Sequence, residues 1–241
     1  MLAEANHGTG LNRESTEVIQ KALEERFNME KRMKVVNYRH LNRYVRKHQI
    51  LFVGSSLMEQ FPIYELLIDR QLPYTIYNRG IGGTTTFELL ENMDACIYEL
   101  EPDYIYINIG TNDLNLPDYT EESLIARYRE IMRGIKTHLP DAKLFMLAYY
   151  PVNPQAAEKI PYMSEALKVR TNARINSANK AVQKLAEEIG ATFLDLNDGI
   201  RDEQGRLKAE YTIEGMHMYA DGYVPVLEAL LPWLPGQNHN G

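Results

Sequence analysis

Cysteine is almost absent from this sequence. The single residue, Cys96, cannot form an intramolecular disulfide, and no Cys/His cluster has the spacing of a metal site, so no metal or other cofactor is expected. Nothing here requires an oxidising compartment. Long apolar runs are missing too: none approaches the roughly 20 residues that span a bilayer, which excludes integral membrane association. The opening MLAEANHGTGLNRESTE has neither the basic n-region nor the apolar h-region of a signal peptide, so the expected location is the cytoplasm. Positive charge is outweighed. A net charge of -7 leaves no dominant basic face, and no nucleic-acid partner is expected. Internal repeats and low-complexity linkers are absent, although the tail PGQNHNG reads as frayed.

What is present suits a soluble globular protein. Hydrophobic residues make up 44% and charged residues 24%, and 241 residues suffice for one sizeable domain plus an extension. The expected division is a helical extension over 1–47, a main domain over 48–235 and the tail over 236–241. Residues 15–48 contain no Gly or Pro and predict one or two helices. Between Lys31 and His48 there are seven Lys/Arg and no Asp/Glu. Such a stretch fits a solvated helix flank, salt-bridged to the acidic body or to a second subunit; contact with an anionic surface is the alternative.

From residue 48 onward, short apolar runs alternate with helical patterns. HQILFVG, TIYNRG, DYIYINIG, KLFMLAYYP and ATFLDL predict five strands, mostly closed by Gly or Pro. SLMEQFPIYELLID, interrupted by Pro62, predicts helix, as do TTFELLENMDACIYEL, EESLIARYREIMRGIKTHL, residues 161–189 and residues 221–231. This alternation implies βαβ units and a parallel sheet covered on both faces, a three-layer α/β/α sandwich. Chemistry in such sheets sits at the carboxyl ends of the strands, where strand order reverses.

Four strand-end or loop segments carry reactive groups. The first strand runs into Gly54-Ser55-Ser56-Leu57, which puts a hydroxyl and a backbone N–H at a helix N-terminus; such a serine can be a nucleophile or a plain N-cap. The second ends in Asn78-Arg79-Gly80-Ile81-Gly82-Gly83. That is not the Gly-x-Gly-x-x-Gly fingerprint, and it fits either a close backbone approach to substrate or a tight turn. The third ends in Gly110-Thr111-Asn112-Asp113, where the Asn amide can donate to an oxyanion or open an Asx-turn. Last comes Glu214-Gly215-Met216-His217. Of six histidines only His217 has a carboxylate three residues earlier in a Gly-containing turn; a surface loop is the plainer interpretation of that segment alone.

Taken in order, FVGSSL, NRGIGG, IGTND and EGMH resemble the four blocks of the SGNH hydrolases, also called the GDSL esterase/lipase family. The resemblance covers roughly residues 48–235 and implies a doubly wound, flavodoxin-like fold with five parallel strands. It implies Ser56 as nucleophile, His217 as base and Glu214 as the acid that orients it. Ser56 N–H, Gly83 N–H and the Asn112 side chain then form the oxyanion hole. Two positions depart from the family pattern: Ser55 stands where aspartate is usual, and Glu214 replaces the usual Asp.

The expected reaction is hydrolysis of a small-molecule carboxylic ester through an acyl-enzyme, without a cofactor. Leu57, Met58, Asn115, Tyr149 and Met216, with Tyr150 and Met218, are candidates to shape the acyl pocket. No apolar lid-like insertion is evident, which favours short acyl groups such as O-acetyl on carbohydrates. A lysophospholipase or thioesterase, or an inactive binding module of the same fold, are the alternatives. A flavodoxin-like nucleotide or flavin binder lacks the phosphate-cradling loop after the first strand. The N-terminal helices, needing a surface for their apolar stripe, suggest a homodimer.

Overall fold

The structure, a computed structural model, describes residues 13–236. It opens with a 29-residue helix, α1 (Arg13–Leu41), and a 3-10 turn over Asn42–Tyr44. The basic half of α1 lies on the acidic body: Lys31 pairs with Glu88, Lys34 with Glu59 and Arg39 with Glu99. Arg79 is buried beside the rings of Tyr38 and Tyr77 and donates to Asn42 Oδ1. Val18, Leu23, Met29 and Met33 of α1 are exposed.

Five strands follow: β1 (Ile50–Gly54), β2 (Ile76–Gly80), β3 (Tyr104–Asn108), β4 (Lys143–Leu147) and β5 (Thr192–Leu194). All neighbours are parallel, in the order β2-β1-β3-β4-β5, so the chain reverses direction across the sheet between β1 and β3. The intervening helices are α2 (Ser56–Glu59), α3 (Ile63–Asp69), α4 (Thr86–Glu91), α5 (Met93–Cys96), α6 (Glu121–His138), α7 (Pro161–Val169), α8 (Asn172–Ile189) and α9 (Ala220–Leu230). Among the described residues no helix is long and apolar enough to cross a membrane.

Strand side chains alternate between two cores, which makes three layers. Leu51, Val53, Ile105, Ile107 and Met146 pack with Leu89, Tyr128, Ile131, Val182 and Leu185 from the helices on one face. Phe52, Tyr106, Phe145 and Leu147 pack with Leu67, Val226 and Leu230 on the other. The second core carries an aromatic row. Tyr106 meets Phe52 edge-on at 5.6 Å between ring centroids and stacks on Phe145 at 4.5 Å. Burying each such side chain contributes about 1.5–3 kcal/mol.

Two segments expected as continuous helices are broken. The run from Thr85 to Leu100 splits at Asn92, which leaves helical geometry at φ -125° while its Nδ2 donates to the Glu88 carbonyl at 2.7 Å. The region 161–189 splits at Arg170 (ψ 69°), and Thr171 caps α8 by accepting from Arg174 N–H. In each case a polar side chain bonds locally in place of the next helical turn.

One row of the sheet positions everything that follows. Gly54 is paired with Gly80 on one side and Asn108 on the other, so three strands end level. The segments after them, carrying Ser56, Gly83 and Asn112, therefore emerge at one edge. Close approach makes this row possible. A Cβ on Gly54 would lie 2.2 Å from the Asn108 carbonyl oxygen, and one on Gly80 would lie 2.3 Å from the Glu59 backbone nitrogen. Backbone cannot move aside cheaply, so Gly80→Ala should lower the free energy of unfolding by about 2–3 kcal/mol. Urea titration of the variant checks this, and an unchanged midpoint would contradict the packing described.

Candidate active site

Ser55 and Ser56 part company at the end of β1. Ser55 occupies the N-cap of α2 in extended geometry, is 1% exposed, and its Oγ finds no hydrogen-bond partner among the described residues. Ser56 is the first helical residue and turns outward. Its Oγ lies 2.9 Å from His217 Nε2, although 161 residues separate the two in sequence. At the first turn of a helix its backbone N–H has no intrahelical acceptor and stays available.

His217 is fixed from behind. Glu214 Oε1 contacts His217 Nδ1 at 2.5 Å and also accepts the His217 backbone N–H at 3.1 Å. Glu214 is 5% exposed, so the longer acid does not point to solvent. The loop holding both residues is closed by Thr212, which accepts from Gly215 N–H at 2.8 Å and donates to the His217 carbonyl at 3.0 Å. Gly215 is required there: its φ is +100°, and a Cβ would sit 2.6 Å from the Asn153 carbonyl oxygen. Burial alone would push the Glu214 pKa up, but hydrogen bonding to His217 and the His217 charge outweigh it and hold the carboxyl below its ordinary value.

Gly83 and Asn112 face the same edge. Gly83 has φ +72°, and its N–H makes no hydrogen bond among the described residues. Gly82 lies between, where a Cβ would be 3.7 Å from Ser56 Cβ. The Asn112 amide donates one N–H to the Thr84 carbonyl at 3.0 Å, and its Oδ1 accepts from Arg170 Nη2 at 3.0 Å. Its second N–H remains to be used. The neighbouring Asp113 is fully buried and ties α4 down, accepting from Thr86 N–H at 2.9 Å and pairing with Arg127 at 3.2 Å.

Arg170 is the residue that sequence patterns missed. It lies at the break between α7 and α8, is 5% exposed, and makes no ion pair among the described residues. Its guanidinium donates to Asn112 Oδ1, to Asn115 Oδ1 at 2.6 Å and towards Met216 Sδ at 2.9 Å. Burial lowers its pKa to about 10, with Asp113 working in the opposite direction. The hint in the sequence was Thr171-Asn172, a helix start inside an apparently continuous helix.

The expected acyl-pocket residues fall partly in the core and partly in the Arg170 network. Leu57 and Met58 face the core beneath α9, at 3% and 0% exposure, because the first turn of α2 directs them onto the sheet. Tyr149 is also buried; its hydroxyl donates to the Ile109 carbonyl at 2.8 Å and packs under Gly110, supporting the loop that leads to Asn112. Tyr150 and Met218 are core residues as well. Asn115 spends its amide on the Ala166 carbonyl and its oxygen on Arg170. Met216 is buried against Arg170. A cleft of about 1130 Å³ does reach Gly83 and Asn112, but its other wall is α1, with Phe27, Val35 and Val36. No group of three or more His, Cys, Asp or Glu among the described residues is placed to hold a metal ion.

Comparison with known proteins gives the family. Residues 52–224 match the family model described as GDSL-like Lipase/Acylhydrolase family. The chain is 26% identical over 183 residues to platelet-activating factor acetylhydrolase IB subunit alpha2 of Rattus norvegicus, covering 75% of this chain and 73% of that one. A Streptococcus pneumonia structure, provisionally described as a platelet activating factor, superposes with a TM-score of 0.80 at 33% identity, covering 90% of this chain and 98% of the other. A GDSL-like lipase from Bacteroides thetaiotaomicron shares the fold at 21% identity and TM-score 0.65, covering 83% of this chain and 97% of that one.

Two measurements follow from the buried charges. Arg170→Met strands the Asn112 and Asn115 oxygens and should cost about 3 kcal/mol of stability, read by denaturant unfolding; an equally stable variant would contradict the network. Glu214 has its folded pKa below the unfolded value. The stability it contributes is therefore complete above the unfolded pKa and is lost as pH falls through the folded one. Glu214→Gln should flatten that acid-side loss, whereas an unchanged profile would show that His217 does not hold the carboxylate.

Proposed function

The chain belongs to the GDSL-like lipase/acylhydrolase family and is an ester hydrolase, and from that premise we propose that Ser56 is its nucleophile, His217 its general base and Glu214 the group that orients the base. The observation that carries this assignment is the continuous contact from Glu214 Oε1 through the His217 ring to Ser56 Oγ, at 2.5 and 2.9 Å. His217 takes the Ser56 proton as Oγ attacks the ester carbonyl. It returns that proton to the departing alcohol, and water then resolves the acyl-enzyme by the same route in reverse. Glu214 keeps Nδ1 protonated, so that Nε2 is the nitrogen able to accept.

The oxyanion is received by the N–H groups of Ser56 and Gly83 and by the unspent N–H of Asn112. Arg170 supports the third donor. By binding Oδ1 it fixes which end of the Asn112 amide faces the substrate, and its charge polarises the amide towards donation.

The substrate we propose is a short-chain ester, an O-acetyl group on a polar alcohol such as a carbohydrate. Similarity to an acetylhydrolase subunit supports the short acyl group. Burial of Leu57, Met58 and Tyr149 removes the side chains that would have walled a long acyl pocket near His217. The cleft that reaches Gly83 and Asn112 is lined across from α1 by Asn92, Asp118 and Arg127, polar groups that suit a hydroxyl-rich alcohol.

Ser56→Ala should lower turnover on the order of 10⁴–10⁶-fold. With the unaltered enzyme, nitrophenyl esters of increasing chain length should show a maximum at acetyl or propionyl. Near-normal turnover by the variant would remove the nucleophile assignment, and a maximum at long chains would remove the short-acyl one.

A further inference from the structure

The loop from Gly80 to Thr85, which carries Gly83, is held by α1 at four places. Tyr38 donates its hydroxyl to the Gly80 carbonyl at 2.6 Å. Gly82 N–H is accepted by Glu59 Oε2 at 2.6 Å, and the other oxygen of Glu59 is paired with Lys34 at 2.5 Å. The Phe27 ring covers Gly83 so closely that a Cβ there would lie 2.3 Å from it. Thr85 N–H is accepted by Glu88 Oε2 at 2.9 Å, and Glu88 Oε1 is paired with Lys31. Two of these contacts are direct and two pass through one carboxylate neutralised by a lysine of α1.

We propose that α1 is a positioning element for the oxyanion hole, with Phe27, Lys31, Lys34 and Tyr38 as positioning residues. The proposal rests on the assignment of Gly83 and Asn112 as oxyanion donors. A segment with three glycines in four residues has wide conformational freedom, so a donor on it is placed only as well as its surroundings hold it. The body supplies Glu59 and Glu88 as acceptors for the loop, but left unpaired these carboxylates would oppose negative charge developing beside Gly83. The lysines of α1 fix the acceptors and cancel that opposition together. The helix that does this lies outside residues 52–224, which match the family. The contacts fall on the loop itself, not only on the strands, which separates bracing of the site from general support of the sheet.

The test is steady-state kinetics of the full chain on a short-acyl nitrophenyl ester. Phe27 is 46% exposed and the Lys34 side chain 40% exposed, so truncating either leaves the core intact. Phe27→Ala and Lys34→Met should each lower kcat about tenfold while KM stays within about twofold, since small misplacement of a donor costs rate more than binding. Lys34→Arg should restore kcat to within about twofold. Met33→Ser, on the exposed side of the same helix, should leave kinetics unchanged. Asn112→Ala serves as the reference, with an expected loss of about 10²–10³ in kcat. If Asn112→Ala is crippled and both α1 variants keep full kcat, α1 does not position the loop and only this proposal falls. A raised KM at constant kcat would make α1 a wall for substrate and overturn it too. If Asn112→Ala keeps its turnover, the oxyanion assignment itself fails and the proposal falls with it. Should Phe27→Ala fail to fold, Lys34→Met and its arginine counterpart decide alone.

Discussion

The sheet row in which Gly54 lies between Gly80 and Asn108 is the constraint on which the site depends. Two of its three members are glycine because the backbones of β3 and α2 approach to distances that a Cβ would occupy. With three strands ending level at the point where chain order reverses, the residues just beyond them are forced into one small space. Shifting any one strand by a residue would invert its inward and outward positions and displace Ser56, Gly83 or Asn112 from the shared edge. Packing and chemistry are thus specified by the same hydrogen-bond register.

Around that row the polar groups form two arms, one of which ends at Ser56. One runs from Glu214 through His217, on a loop locked by Thr212 and Gly215. The other runs from Arg170 through Asn112, and the buried cation has neutral acceptors in place of a carboxylate partner. The arms have opposite charge, and in the proposed reaction the carboxylate would favour a proton on the histidine while the guanidinium would favour negative charge on the substrate oxygen. A buried charge without an ion partner is costly to keep. Its position behind Asn112 ties that cost to the proposed oxyanion donor.

The sequence revealed the strands and their ends because buried parallel strands are short apolar runs, and the glycines closing three of them mark close backbone approach. It also revealed Ser56, Gly83, Asn112, Glu214 and His217 as an ordered set, since each sits at a strand end or in the last loop. Direction was not legible. Leu57 and Met58 follow Ser56 immediately, yet one helical turn sends them into the core, and Tyr149 at the end of β4 turns under Gly110. Breaks at Asn92 and Arg170 were hidden because they depend on single local hydrogen bonds within strongly helical surroundings. Arg170 itself was invisible for a different reason: its acceptors lie 55 and 58 residues away, and only the folded chain brings them together.

The central claim is that the Glu214–His217 pair activates Ser56 and leaves its neighbour Ser55 inert. Reaction with a fluorophosphonate followed by peptide mass spectrometry measures this directly, because only a serine with an adjacent base and an oxyanion hole attacks phosphorus readily. The account predicts a single adduct on Ser56, abolished in His217→Ala. An adduct on Ser55, or an unlabelled protein that still cleaves esters, would contradict it.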